Sequence, residues 1–243
     1  MASPFTSDLL ALILDNQKES RRPLLFGNAR VITTDPLIGD FEQGDVLLGE
    51  TRIVGIGPGL LTAAEDDGAI IIDCTGFTIV PTVLDMAQLT GLRPTNYRAP
   101  HAMSPGNAAS FAVLPAQNGE SATHALRRFL STPDWALTVV TDGAVTRWDG
   151  HPLEPGTAAA TTAAAGIPDE RLGTWIDQND FVHQHLSADG RYDETRGGRE
   201  HAYQGRFWVT GDRIDYLDDL GFWAFGEFVD DTLHHAGYTF HRA

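Results

Sequence analysis

The chain has 243 residues with 33 acidic and 17 basic side chains, which gives a formal charge of −16. This length predicts one large domain or two small ones, and an apolar fraction of 42% is enough to build a core. The acidic balance argues against nucleic-acid and anionic-membrane partners, because phosphate recognition needs clustered Lys and Arg. The single cysteine, Cys74, excludes disulfides within the chain and multi-cysteine zinc sites. With no apolar run long enough to span a membrane and no basic leader, we expect a cytoplasmic protein.

The N-terminal part of the chain divides into an arm, residues 1–22, and a strand-rich domain, residues 23–154. Residues 8–20 predict one short helix that is apolar on most of one face. Residues 121–130 predict a second helix, with Ser121 as its N-cap. Between and after these helices, β-branched segments bounded by turn residues predict strands at 29–34, 45–48, 52–56, 69–74, 78–80, 110–114, 137–141 and 144–148.

In the first domain, segments 27–34, 44–48, 52–58 and 72–81 resemble the opening β-sandwich strands of amidohydrolase-superfamily enzymes. Segments 104–114 and 137–145 resemble the closing strands of the same family. At the family's entry into its metal-binding barrel, Ala87 and Leu89 stand where two metal-binding histidines are expected. The resemblance implies a β-sandwich remnant whose catalytic (β/α)₈ barrel has been deleted. It therefore argues against a metal-dependent amidohydrolase, which needs those ligands to activate water.

An Ala-, Pro- and Gly-rich segment, residues 155–171, predicts a linker to a second domain, residues 172–243. This second domain holds 13 of the 22 aromatic residues and six of the nine histidines. Gly- or Asp-containing turns recur every few residues, and this spacing predicts a small antiparallel barrel. The whole chain is therefore expected to be mainly β.

The second domain resembles a small bacterial, streptavidin-like, calycin-type barrel family. The resemblance rests on segments 173–175, 189–199, 202–205, 218–222 and 234–237. It implies the barrel fold and no particular activity. Residues 220–226 are more apolar here than the family pattern, which implies a more apolar ligand if they face the cavity.

A charge cluster surrounds the turn at residues 197–198 and has two interpretations. It is either a solvated hairpin with weak ion pairs at the rim or the mouth of the barrel. In the second case Arg199 or Arg196 binds a carboxylate or an enolate, because the guanidinium fork donates two parallel hydrogen bonds to an oxyanion. Glu194 is then the candidate base.

Histidines supply the other candidate acid–base groups. His183 and His185 have strand spacing and share a face, while His234 and His235 project to opposite faces. A zinc site would need a third ligand from His201 or an acid, and we predict no metal and no cofactor. We favour His235 or His201 as the general acid or base, because imidazole titrates near neutral pH.

Aromatic residues exceed what a barrel of 72 residues holds in its interior. The excess is expected to line a pocket, an interdomain interface or a dimer contact. Gly205, among aromatics, either leaves space for a ligand or bends its strand. Tyr203 and Tyr216 are candidate catalytic donors, and the predicted ligand-binding residues are Trp175, His201, Trp208, Asp219, Trp223 and Phe225.

Three functions remain open from the sequence. The first is a metal-free acid–base enzyme, an isomerase, cyclase or lyase, that acts on an apolar, polyketide-like small molecule of secondary metabolism. Its catalytic residues would be His235, Glu194, Arg199, Tyr203 and Tyr216. The second is a non-catalytic barrel that binds the same kind of molecule. The third is a structural adaptor, and a homodimer is compatible with it.

Overall fold

The computed structural model describes residues 3–18, 22–66, 68–84, 101–153 and 167–243. The chain divides into two compact units, Met1–Thr161 and Thr162–Ala243. Within the described ranges no helix combines the length and the apolar character that crossing a bilayer requires. Ala87 and Leu89, on which the expected loss of metal ligands rests, lie outside the described residues, as does most of the expected linker.

The described part of the first unit contains three α-helices and nine strands, and each predicted strand or helix overlaps one of them. The helix at 61–66 and the strand at 151–152 were not predicted. The first two strands begin several residues earlier than the β-branched pattern indicates. The helices are α1 Ser7–Lys18, α2 Leu61–Asp66 and α3 Ala122–Ser131, and the strands are β1 Leu24–Val31, β2 Phe41–Gly49, β3 Arg52–Gly57, β4 Ile70–Asp73, β5 Phe77–Pro81, β6 Phe111–Pro115, β7 Thr138–Thr141, β8 Ala144–Trp148 and β9 His151–Pro152.

These nine strands form a single mixed sheet that curls. Its order is β3-β2-β1-β5-β6-β7-β8-β9, and β4 pairs in parallel with β1. Although β3 and β6 are four places apart in this order, Ile53 N donates to Asn107 O at 2.9 Å, and Ala109 N donates to Thr51 O at 2.8 Å. The segment that leads into β6 is therefore bonded back to the edge strand β3, and the sheet encloses its core.

The core of the first unit lies inside this curl. Phe26 of β1 and Phe111 of β6 meet edge to face with ring centroids 5.0 Å apart. Ile13 of α1 is fully buried against the same core. On the opposite face, α3 packs through Ala125, and the Ser121 hydroxyl accepts from His124 N at 3.2 Å as the predicted cap.

The second unit is a closed barrel of eight antiparallel strands, in which each strand bonds its neighbours in sequence and β10 bonds β17. The predicted mainly-β architecture, a sheet followed by a small antiparallel barrel, is confirmed. The barrel strands are β10 Gly173–Asp177, β11 Val182–Leu186, β12 Arg191–Arg196, β13 Arg199–Thr210, β14 Arg213–Asp218, β15 Trp223–Val229, β16 Thr232–His235 and β17 Tyr238–Arg242.

One end of the barrel is plugged by the 3₁₀ turn Asp169–Arg171 that precedes β10. Trp175 Nε1 donates to Arg171 O at 3.1 Å, and the Arg171 guanidinium lies 4.3 Å from the centroid of the Phe228 ring. Trp175, Phe228 and Leu233 belong to the apolar core of the barrel. Buried polar side chains of the interior include Gln184 of β11 and Glu194 of β12.

Gly205 brings two strands together and does not leave room for a ligand. A Cβ at this position would lie 2.2 Å from Leu217 O, 2.7 Å from Asp218 Cα and 2.8 Å from Tyr192 Cε1. The absence of a side chain lets β13 and β14 approach closely at this point. Of the two interpretations of Gly205 drawn from the sequence, ligand space is wrong.

Candidate functional site

Buried polar side chains form one connected group inside the barrel. We call this group the mouth cluster, and its members are Gln184, Glu194, Arg196, Tyr216 and His235. Tyr216 Oη donates to Gln184 Oε1 at 2.8 Å, and Gln184 Nε2 donates to Glu194 Oε2 at 3.0 Å. Arg196 Nε donates to Glu194 Oε1 at 2.5 Å. Both carboxylate oxygens of Glu194 are therefore occupied.

Strand alternation brings these residues to one place. Side chains of a strand point alternately to its two faces, and directly paired residues of neighbouring strands share a face. Glu194 of β12 pairs with Gln184 of β11 on one side and with Tyr203 of β13 on the other. Glu194 and Gln184 are almost fully buried, whereas Tyr203 is 44% exposed because it lies at the rim.

His235 is held in one orientation with one ring nitrogen occupied. Its Nδ1 lies 2.9 Å from the carbonyl oxygen of Phe225, and its ring lies against Tyr216 with centroids 4.5 Å apart. A carbonyl only accepts, so Nδ1 carries the proton and Nε2 carries the lone pair. No hydrogen bond joins Nε2 to any residue that the structure describes.

Burial lowers the pKa of His235, against the opposing effects of the Phe225 carbonyl and the Glu194 charge. The imidazole is therefore neutral at pH 7, which is the state of a general base. Burial likewise raises the pKa of Tyr216, and the Glu194 charge adds to this effect. The Tyr216 hydroxyl accordingly stays protonated and continues to donate to Gln184.

Arg196 joins the buried cluster to the open rim. Its guanidinium carbon lies over the Tyr203 ring at 5.0 Å and over the Tyr238 ring at 5.7 Å from the centroids. The Arg196 side chain is 32% exposed, while that of Glu194 is 3% exposed. Nε is bound to Glu194, and neither Nη atom donates to a described residue. Two hydrogen-bond donors therefore face the rim of the barrel.

Of the eleven predicted site residues, four meet at the mouth cluster and seven do not. His235, Glu194 and Tyr216 belong to the mouth cluster, and Tyr203 borders it through Arg196. Trp175 is inside the barrel but at the plugged end, where its indole bonds the turn before β10. It is therefore an apolar core residue.

Three predicted polar site residues, Arg199, His201 and Asp219, lie outside the mouth cluster. Arg199 is exposed, and the guanidinium inside the mouth is that of Arg196. His201 is exposed with a left-handed φ of 54°, and its Nδ1 lies 2.6 Å from the Asp193 carboxylate on the outer surface. Asp219 forms a two-bond ion pair with Arg191 at 2.8 and 2.6 Å. This is an exposed ion pair, as expected for the solvated hairpin interpretation of the charge cluster.

Three predicted aromatic ligand contacts lie on the outer face of the barrel. Trp208 and Phe225 flank Asp215 in register, and Trp223 stacks beside Phe225 with centroids 6.0 Å apart. Beneath them Arg213 Nη2 donates to the buried Asp215 at 2.7 Å, and burial raises the pKa of Asp215 against the effect of Arg213. The prediction that these rings stack on a ligand inside the barrel is therefore corrected, because their strand positions alternate with the interior ones.

The paired histidines of β11 also face outward. His183 Nε2 lies 2.8 Å from Asp180, and His185 Nδ1 lies 3.1 Å from the Thr174 hydroxyl. Among the described residues, no group of three or more His, Cys, Asp or Glu side chains is arranged to hold a metal ion. His234 is exposed while His235 is buried, as the opposite-face prediction requires.

Gln184 and Tyr238 are the site residues that the sequence analysis did not identify. Gln184 stands between two histidines whose spacing drew attention to the other face of the strand. The signal available in the sequence was the position of Gln184 in the strand. Val182, Gln184 and Leu186 lie on the same face of β11, and Val182 and Leu186 are apolar. A polar residue between two apolar ones on the same face is a candidate for a buried hydrogen bond.

The second unit is thus a small antiparallel barrel with an apolar core and one polar cluster. In that cluster the His235 Nε2 and the Arg196 Nη atoms have no hydrogen-bond partner among the described residues. Residues 168–242 match the family model described as Agrobacterium tumefaciens protein Atu4866. The solution structure of the protein Atu4866 from Agrobacterium tumefaciens is 50% identical, over 29% of this chain and 91% of that chain, with a TM-score of 0.28. Through its barrel unit the chain belongs to the Atu4866 family. No curated protein matches the chain.

Proposed function

We propose that the barrel unit is a metal-free acid–base enzyme of isomerase, cyclase or lyase type, with His235 as its base. The observation that carries this proposal is the fixed tautomer of His235. Its Nδ1 is 2.9 Å from the Phe225 carbonyl oxygen, which leaves the Nε2 lone pair for a substrate proton. Burial keeps the ring neutral at pH 7, as a base must be.

The other residues of the mouth cluster support this base without replacing it. Both oxygens of Glu194 accept hydrogen bonds, so we assign Glu194 to holding Arg196 in place and not to proton abstraction. Arg196 offers two donors to an oxygen on which negative charge develops. Tyr216 orients the His235 ring by contact, while its hydroxyl is engaged with Gln184.

Deuterium incorporation tests this proposal even while the substrate is unidentified. The full chain is incubated in D₂O, in catalytic amount, with a small-molecule extract of the source cells, and the mixture is analysed by mass spectrometry and retention time. A base that exchanges a carbon-bound proton adds deuterium to one compound in large molar excess over the protein. We expect His235→Gln to abolish this incorporation and His234→Gln, its exposed neighbour, to retain it. Equal incorporation by both variants would overturn the assignment.

A non-catalytic binding barrel is the second candidate function. It is favoured by the chain of hydrogen bonds from Tyr216 through Gln184 to Glu194, which is satisfied internally and rigid. In the same experiment this barrel would deplete one compound in proportion to the protein added, release it unchanged on denaturation and add no deuterium.

We also propose that the curled sheet of the first unit is an amidohydrolase-type sandwich remnant that serves as a platform. Its strands overlap the segments of the sequence that resemble amidohydrolase-superfamily enzymes. A streptavidin-like relationship for the barrel rests on its eight-stranded antiparallel closure. A structural adaptor would use the outer aromatic face, where Phe225 is 37% exposed.

A further inference from the structure

We infer that the site takes a neutral, planar, conjugated carbonyl compound whose oxygen accepts hydrogen bonds from the Nη atoms of Arg196. This inference rests on the proposed function, because it names the substrate class of the same site. Three independent features of the mouth cluster carry it: its charge balance, the free donors of Arg196 and the ring faces at the rim.

The charge balance selects a neutral ligand over a preformed anion. Arg196 is already paired with the buried carboxylate of Glu194 at 2.5 Å, so the two side chains together carry no net charge. A carboxylate ligand would add a third charge with no partner, in a chain of formal charge −16. An anion-binding role for this arginine, one of the uses expected from the sequence, is disfavoured for that reason.

The free donors of Arg196 select an oxygen acceptor on the ligand. Since Nε alone is bonded to Glu194, both Nη atoms remain for a carbonyl oxygen at the rim. A neutral carbonyl binds there modestly. When its α-proton is removed, the oxygen becomes anionic and the same hydrogen bonds strengthen, which is the differential stabilisation that accelerates a reaction.

The ring faces select a flat, conjugated body. The guanidinium carbon of Arg196 lies over Tyr203 at 5.0 Å and over Tyr238 at 5.7 Å, so a ligand bonded to Nη lies beside these two rings. Tyr238 in turn contacts Phe240 with centroids 6.0 Å apart. Offset stacking on such rings favours a π-system over a saturated ring of equal size.

The proton-transfer step balances without any co-reactant. His235 Nε2 takes the α-proton, the C–H electron pair forms the carbon–carbon double bond of the enolate, and the carbonyl π pair moves to the oxygen that Arg196 binds. The imidazolium then returns its proton to the same carbon or to a conjugated one. In the second case the product is an isomer of the substrate, and the enzyme recovers its starting state.

Three naphthalene-sized probes test the substrate class by fluorescence and NMR titration of the full chain at pH 7. They are 2-naphthol, a neutral flat mimic of an enol, 2-naphthoate, an anion of similar size, and 2-decalol, a saturated alcohol with the same carbon count. We expect 2-naphthol to bind at least about ten-fold more tightly than either of the others. Stronger binding of 2-naphthoate, equal binding of 2-decalol or no binding of any probe would each overturn the inference.

Arg196 is tested with variants that preserve folding. The double variant Glu194→Gln/Arg196→Gln removes both charges together and leaves no buried carboxylate unpaired, while Arg196→Lys keeps the charge and loses the fork. Both are expected to weaken 2-naphthol binding about ten-fold or more. The control is Arg199→Gln, which removes the exposed arginine paired in register with Arg196. An equal loss in Arg199→Gln, or unchanged binding in the double variant, would contradict the inference.

Deuterium exchange into 2-tetralone separates this inference from the proposed function. Exchange that occurs in the wild type and is lost in His235→Gln supports both the proposed enzyme function and the inferred ligand class. The expected probe preference without any exchange would overturn the enzyme and retain the ligand class. Exchange that depends on His235, together with a preference for 2-naphthoate, would retain the enzyme and overturn the ligand class.

Discussion

Arg196 Nε lies 2.5 Å from Glu194 Oε1, two residues away on the same strand, and of the two side chains only the arginine reaches solvent. This asymmetry makes the glutamate depend on the arginine. Water can hydrate the exposed part of Arg196. Among the described residues, Glu194 has Arg196 and Gln184 alone to replace the water it lost on folding.

Arg196→Gln alone is therefore expected to destabilise the barrel more than the double variant Glu194→Gln/Arg196→Gln. Removing one partner leaves a buried charge, at a cost of about 2–3 kcal/mol for a pair that is open on one side. Urea unfolding with the Trp fluorescence of the barrel as readout measures both variants. Equal destabilisation of the two would show that the pair is not coupled in this way.

The pH dependence of stability should report the buried His235. Because its folded pKa is lowered, the unfolded chain binds the proton more readily, and stability falls as the pH drops through about 6.5, the ordinary value for histidine. The loss ends once the pH lies below the folded pKa, where both states are protonated. We expect His235→Gln to flatten the wild-type decline between pH 7 and 5.5 in thermal unfolding.

His234→Gln is the matched control for this titration. His234 is exposed on the other face of the same strand, so the variant should keep the wild-type slope. A slope that disappears in His234→Gln and persists in His235→Gln would contradict the assignment of the buried titrating group.

Tyr216→Phe should destabilise the barrel by about 1–2 kcal/mol, since Gln184 Oε1 then loses its donor inside the protein. Tyr192→Phe is the comparison, because the Tyr192 ring is buried against Tyr216 while its hydroxyl makes no hydrogen bond with a described residue. The denaturant midpoints of Tyr216→Phe and Tyr192→Phe measure the two losses of stability. A larger effect at Tyr192 would show that ring packing, and not the hydrogen bond, holds this part of the cluster.

Gly205→Ala should disrupt the pairing of β13 with β14. The new Cβ would lie 2.2 Å from Leu217 O, a backbone atom that cannot turn aside, so we expect a loss of about 2 kcal/mol or more. Gly27→Ala is the control in another strand, where the nearest atom to a new Cβ is 3.5 Å away. Amide hydrogen exchange locates the damage. Unchanged protection of β13 and β14 in Gly205→Ala would mean that the strands have more freedom than their spacing indicates.

Local patterns in the sequence were sufficient to locate most strands and two helices of the first unit. Period-two alternation and Gly- or Asp-containing turns act between near neighbours, so the strands of the first unit and the antiparallel barrel of the second follow from them. Asp142 and Gly143 form the hairpin turn between the predicted strands β7 and β8. The curl of the first sheet was not predicted, because it depends on contacts between Thr51 or Ile53 and residues more than fifty positions away.

What the sequence alone determined about this protein is its class of fold, and it named His235, Glu194 and Tyr216 only as candidate site residues. Only the tertiary structure shows that Arg196 and not Arg199, and His235 and not His201, belongs to the mouth cluster. It also places Trp208, Trp223 and Phe225 on the outer face of the barrel. The physical reason is that side chains alternate between the two faces of a strand. The face of a side chain depends on its position in its strand, and the register of β12 with β13 shifts at the rim, next to the left-handed His201. Closure of β10 on β17 then fixes which face is the inside.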